Sequence, residues 1–368
     1  MAGPELRRML VIRRLSLSNW RRPGRRQRRQ VGDLMVRRRT FLLGASALPL
    51  LGAAAATPLD VGRAAADHWI RTASLGDNNW QNATLHSGVM ALYEATSATK
   101  YRDYTLSWAN KHDFKLRTSS SNPHFADYQA AGQAYLDLYE DKREPQRIAA
   151  LVKEIDATVA SGRVDYWWWV DALHMAMPIF ARLGKADYGD KLYRWTRTRL
   201  WDNGLWWRDK KYVGRNVYWS RGNGWAIAAL AKTLDALPAS SPFRAGYVAD
   251  FRAMAASLAR VQRSDGFWNV NLGDPKDHPG PETSGTAFFT YGLAWGVRAG
   301  VLDASVYRPI ALRGWDGMVS AALHSTGKVG YVQGQGQQPS DHQPVKRDDT
   351  ANFGVGAFLL ASTQVARL

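Results

Sequence analysis

Asp171-Ala-Leu-His-Met-Ala-Met-Pro-Ile-Phe-Ala-Arg-Leu183, then Gly184-Lys185-Ala186, then Asp187-Tyr-Gly-Asp-Lys-Leu-Tyr-Arg-Trp-Thr-Arg-Thr-Arg-Leu200 is the stretch that decides the fold. The first segment is apolar nearly all round, as a helix buried on every side must be, and the second keeps a polar face for water. Three residues join them, enough only for antiparallel neighbours. The unit is a helical hairpin with one inner and one outer arm.

The same alternation recurs on both sides of it. Thr84–Thr96, Asp127–Glu140, Asp171–Leu183, Gly224–Leu237, Thr283–Gly300 and Ala351–Val365 read as inner helices, rich in Gly, Ala and apolar residues. Asp60–Thr72, Tyr101–Asp113, Pro145–Ala160, Asp187–Leu200, Arg244–Gln262 and Ser305–Leu323 read as outer ones with a polar face. Successive inner helices start 43 to 68 residues apart, the period of a hairpin plus a variable loop. Six inner and six outer helices describe an all-α (α/α)6 barrel of six helical hairpins. A solenoid is the alternative, but it expects a more uniform repeat. Turns out of the inner helices are short, whereas connections into them are long and carry most of the Trp, Asp and His. That asymmetry places a site at the inner-helix N-termini, where the loops converge.

The chain has 368 residues and a formal net charge of +17. Thirteen arginines against Glu5 and Asp33 put eleven of those charges in residues 1–40. The body is therefore only mildly basic, which excludes a nucleic-acid partner as the reading of the charge. Sixteen Trp and fifteen Tyr supply faces suited both to helix packing and to stacking on sugar rings. The absence of cysteine excludes disulfides, thiolate metal sites and a cysteine nucleophile.

Arg37-Arg38-Arg39-Thr40-Phe41-Leu42 sets a twin arginine before an uncharged apolar run from Phe41 to Leu51, and Gly52-Ala53-Ala54-Ala55-Ala56 follows. This is the grammar of a twin-arginine (Tat) signal peptide, with Thr57 as the expected mature start and the Tat export machinery as the leader's partner. The run is too short for a stable membrane anchor. Residues 1–34 read as lying upstream of the natural start at Met35. The expected organisation is a basic extension plus signal over 1–56 and one catalytic domain over 57–368, exported to the periplasm or secreted.

Four elements could carry chemistry. Asp171 follows Tyr166-Trp167-Trp168-Trp169-Val170, and adjacent aromatics would raise its pKa as a general acid requires, although a cap is the first reading of an Asp before a helix. Asp127, in His124-Phe125-Ala126-Asp127, occupies the equivalent place on the previous inner helix, so the two carboxylates would face each other across the barrel mouth. In Trp219-Ser220-Arg221-Gly222-Asn223-Gly224-Trp225 the glycines allow close backbone approach. Arg221 there offers a planar fork for a carboxylate, and Trp219 and Trp225 offer sugar platforms, against core packing and a salt bridge as alternatives. Glu282 and Thr283 head the fifth inner helix, with capping as their default role. No metal-ligand spacing joins His86, His124 and His174, and no phosphate loop, dinucleotide fingerprint or Gly-x-Ser-x-Gly elbow occurs. No metal or cofactor is expected.

Trp169-Val170-Asp171-Ala172-Leu173-His174-Met175-Ala176, the Trp219–Trp225 block and Glu282-Thr283-Ser284-Gly285-Thr286 resemble signature blocks of glycoside hydrolase family 105. So do Asp127 through Gly132-Gln133 to Leu138-Tyr139, and Gly266-Phe267-Trp268; the five blocks stand in family order over roughly residues 65–368. The resemblance implies a hydrolase of Δ4,5-unsaturated uronic acids at the non-reducing end of lyase-generated oligosaccharides, working by hydration of the C4=C5 bond. It implies Asp171 as general acid and base and Asp127 as its partner. It also implies Arg221, Trp219, Trp225 and His174 at the substrate. Arg208, in Trp206-Trp207-Arg208-Asp209, stands where founding members often have His, and Ala172 stands where they have Gly or Asp. A non-catalytic glycan-binding barrel and a sugar epimerase with paired histidines are the alternative functions.

Overall fold

A computed structural model describes residues 56–368. Thr57 opens the first helix: its Oγ1 accepts from the Asp60 amide while Asp60 Oδ2 accepts from the Thr57 amide, a capping box with Pro58 in the first turn. Helices α1 (Pro58–Thr72), α3 (Thr99–Lys111), α6 (Ala149–Ala160), α8 (Ala186–Leu200), α10 (Arg244–Val261) and α12 (Ala304–Gly317) form the outer layer. Helices α2 (Trp80–Thr96), α5 (Ala131–Asp141), α7 (Ala172–Arg182), α9 (Ser220–Ala236), α11 (Thr283–Arg298) and α13 (Asn352–Val365) form the inner one. Each inner helix packs on the next, and α13 returns onto α2, so the ring closes. This is the (α/α)6 barrel expected from the hydrophobic pattern. A two-stranded hairpin, β1 (Trp201–Asp202) with β2 (Leu205–Trp206), is the only strand pair among the described residues.

Three elements depart locally from the sequence reading. The second inner helix breaks at Ala130, leaving a separate first turn, α4 (Ala126–Gln129), that carries Asp127. The outer segment from Pro145 begins as a 3-10 turn, Pro145–Arg147, before α6. The one after Ala304 loosens into a π turn over Met318–Ala322.

The inner ring closes because its helices approach at small residues. A Cβ on Gly88 of α2 would lie 2.3 Å from the carbonyl oxygen of Gly356 on α13, so backbone meets backbone there and no larger residue fits. Pro178 inside α7 has no N–H for the carbonyl of His174. Gln133 of α5 fills that vacancy, its Nε2 donating to His174 O at 2.6 Å. Gln133 Oε1 in turn accepts from Lys232 Nζ of α9 at 2.9 Å, tying three inner helices together. Burial holds that ammonium well below the usual lysine range, at about 8.

Among the described residues no helix is long and apolar enough to cross a membrane. The expected twin arginine and apolar leader lie outside the described residues.

Candidate active site

At the N-terminal ends of the inner helices the connecting loops enclose a cavity of about 430 Å3. Asp127 and Asp171 both line it, brought there by the first turns of α4 and α7. Asp171 occupies the cap position of α7, yet its side chain makes no capping bond and its Oδ1 is buried without a partner. Neither carboxylate accepts a hydrogen bond from another described residue's side chain. Capping, the plainest role for both, is therefore not what holds them.

Burial raises the pKa of Asp127 to about 7, reinforced by the Asp171 charge and opposed by Arg208. Burial also raises that of Asp171, with Arg208 and Arg221 pulling it down and Asp209 pushing it up. Two desolvated carboxyls sharing one cavity titrate as a pair, and near neutral pH the pair keeps a proton. That is what an acid at pH 7 needs.

The aromatics before Asp171 divide their work. Trp167 is buried edge-on against Phe180, 5.7 Å between centroids, and belongs to the barrel wall. Trp169 stacks on Phe125 at 4.6 Å, and both line the cavity. Trp168 is 48% exposed and lines the mouth, an apolar face in water of the sort a sugar ring covers. Neither Phe125 nor Trp168 is among the platforms expected from the sequence.

Of the two platforms that were expected, one lines the cavity and one does not. Trp225 lines the cavity but is almost wholly buried, edge-on to Trp80 at 5.9 Å. Trp219 does not line it; its Nε1 donates to Gln333 Oε1 at 2.9 Å and its ring carries the Arg221 guanidinium at 4.5 Å. It supports Arg221 from behind. His174 does not line the cavity either. It is buried between Trp225 at 4.7 Å and Phe288 at 5.4 Å, with neither ring nitrogen hydrogen-bonded. Burial, helped by Lys232, holds its pKa well below the usual range, so the ring is neutral. Met175, one turn on from Asp171, is the α7 residue that joins it at the cavity. His86 and His124 do not line it either, so no histidine pair of the epimerase kind is assembled there.

Arg221 lines the cavity, and no carboxylate of the described residues is within ion-pair distance of it. Burial lowers its pKa, against the pull of Glu282 and Asp171, while its charge stays. Arg208 lines the cavity too, bound to Asp209 at 2.5 Å. Its loop is pinned beside the Asp171 segment because Val170 N donates to Arg208 O at 2.8 Å. Lys210 and Lys211 extend that loop along the mouth, and Gln335, Gly336 and Gln337 wall the opposite loop. Sequence reasoning missed both; the Lys-Lys step and the Gln-Gly alternation were the available signals. Glu282 caps α11 as expected, accepting from the Ser284 and Gly285 amides at 2.9 and 2.7 Å. No group of three or more His, Asp or Glu among the described residues could hold a metal ion.

A closed inner ring with paired carboxylates, an aromatic mouth and an unpaired guanidinium defines a barrel glycoside hydrolase. The sequence pattern of Glycosyl Hydrolase Family 88 matches residues 62–368, and the chain belongs to that family. It is 30% identical over 331 residues to an unsaturated 3S-rhamnoglycuronyl hydrolase of Formosa agariphila, covering 80% of this chain and 86% of the relative. The solved family 88 hydrolase from Bacteroides vulgatus is 34% identical with a TM-score of 0.80, covering 84% of this chain and 98% of the other. A family 105 hydrolase of C. acetobutylicum shares the fold at 21% identity and a TM-score of 0.72, over 83% of this chain and 99% of the other. The protein is a glycoside hydrolase, as the signature blocks implied.

Proposed function

We propose that the enzyme releases a Δ4,5-unsaturated uronic acid from the non-reducing end of lyase-generated oligosaccharides by hydrating the C4=C5 bond. The observation that carries this is the juxtaposition, in one aromatic-walled cavity, of two carboxyls without protein partners and a buried guanidinium without a counter-ion. The guanidinium suits the uronate carboxylate, and Lys210 and Lys211 make the mouth attractive to anionic chains.

The chemistry follows from the residues. Asp171 delivers the proton that the pair retains to C4, and the electron deficit develops at C5 beside the ring oxygen. Water adds at C5 and returns a proton to the Asp171 carboxylate, so the residue ends as it began. The hemiketal then opens to a ketone, which leaves the former ring oxygen as a hydroxyl on C1. That hemiacetal expels the aglycone as an alcohol. Asp127 keeps the proton inventory of the pair; Arg208 limits how far both pKa values rise, and Arg221 limits that of Asp171. An ordinary glycosidase would instead place its two carboxyls about the anomeric carbon and leave the double bond intact.

The test separates the two. The ultraviolet absorbance of the conjugated uronate is expected to fall in step with sugar release, and in heavy water one deuterium is expected at C4. Sugar release with the absorbance retained would overturn the hydration reading.

Export is proposed alongside. The first described helix begins at Pro58, capped by Thr57, which is where a chain cleaved after Ala56 would start. Arg38→Lys with Arg39→Lys is expected to hold the full chain in the cytoplasm, measured by fractionation; normal export of that variant removes the twin-arginine assignment.

A further inference from the structure

Arg221 does not hold its own orientation. Its Nη1 donates to Gln333 O at 3.0 Å and, more weakly, to Gln333 Oε1 at 3.4 Å, and its Nη2 donates to Gly334 O at 3.1 Å. An arginine has five N–H donors, so two are left over for a ligand.

Gln333 is itself fully buried, and every polar atom of its amide is engaged. Oε1 accepts from Trp219 Nε1 at 2.9 Å, while Nε2 donates to Pro339 O at 2.9 Å and to Asp341 O at 2.7 Å. With donors on one end and carbonyls on the other, the amide has one orientation only. Its backbone amide donates to Glu282 Oε1 at 3.2 Å, the carboxylate that caps α11. Asp341 closes the loop by accepting from the Gln337 amide at 2.7 Å. Gln333 thus joins the start of α9 and the loop whose Gln335–Gln337 edge walls the cavity through its side chain, and the start of α11 through its backbone amide.

We propose that Gln333 is a positioning residue, which fixes Arg221 so that its remaining N–H groups meet the substrate carboxylate. This rests on Arg221 being the uronate ligand. Arginine has a long, rotamer-rich stem, and Asp171 and Glu282 both attract the cation. Without Gln333 the guanidinium would turn towards one of them and offer the substrate less.

The experiment uses the full chain carrying Asp171→Asn, so that bound substrate is not consumed. Titration calorimetry compares an unsaturated uronyl disaccharide with its methyl ester. Gln333→Met keeps length and removes the side-chain bonds to Trp219, Pro339, Asp341 and Arg221 that fix this loop, while the backbone carbonyls of Gln333 and Gly334 remain but are no longer held in place. It is expected to weaken binding of the acid about tenfold, the worth of one charge-assisted bond, and to leave the ester nearly unchanged. Adding Arg221→Lys is expected to cost no more than Arg221→Lys alone, because the two act through one contact. Gln333→Glu is the second variant should the methionine form melt early; its carboxylate neutralises Arg221 and should give the same acid-selective loss. Equal losses for acid and ester, or losses that add, would overturn the proposal and leave Gln333 a purely structural residue. If the parent Asp171→Asn chain binds acid and ester alike, Arg221 is not the uronate ligand and both readings fall at that step, before any Gln333 variant is made.

Discussion

Asp171→Asn is expected to reduce turnover by at least about a hundredfold to ten-thousandfold, the range a general acid contributes, and more where one residue is both acid and base. Asparagine keeps the shape but cannot give a proton to C4. Stability is not expected to fall with activity. Oδ1 of Asp171 has no hydrogen-bond partner to lose, and burial already penalises its charge. Activity lost together with the fold would instead make Asp171 structural. The wild-type pH profile follows from the same pair. Activity should decline as pH rises through about 7, where Asp127 releases the proton that burial and Asp171 help it retain. Asp127→Asn removes that titration, so the alkaline limb near 7 should be lost. The stability linkage has a definite sign. A carboxyl raised from 3.8 to about 7 binds its proton more tightly in the folded state. Its contribution is therefore lost as pH climbs from about 4 to about 7.

Arg221→Lys is expected to lower kcat/KM for the acid substrate by roughly tenfold to a hundredfold, since a bidentate charge-assisted pair becomes a single point contact. Much of this should appear in KM. A methyl-esterified substrate, which lacks the charge, should be turned over almost equally by both forms. The circular dichroism spectrum should be unchanged. Lysine also gives up the stacking over Trp219 and the bonds to Gln333 O and Gly334 O, so some loss of thermal stability is expected. Unchanged kinetics on the acid substrate would make Arg221 a structural cation.

Much of the protein was legible because its signals are local. Asp171–Leu183, apolar all round, could only be an inner helix, and the three-residue turn after it could only lead to an antiparallel outer one. The twin carboxylates were legible because Asp127 and Asp171 begin successive inner helices, and hairpin repetition brings equivalent positions to one end of a barrel. Glu282 was legible as a cap because Ser284 and Gly285 follow it at the spacing a cap needs. Helix type, hairpin order and the end of the barrel that holds the site all follow from periodicity and turn length, which the sequence carries within each hairpin and its connecting loops.

Tertiary structure alone decided which way the side chains face and who shares a partner. His174 and Met175 are neighbours in sequence, and a rotation of about 100° per residue sends one into the core and the other to the cavity. Trp168 is exposed at the mouth while Trp167 is buried in the wall, although nothing in their local sequence separates them. Trp219 supports Arg221 rather than meeting the cavity, because Gln333, more than a hundred residues away, holds its indole N–H. Such pairings arise only when six hairpins close into a ring, since hydrogen bonds across that distance depend on closure and leave no trace in local spacing.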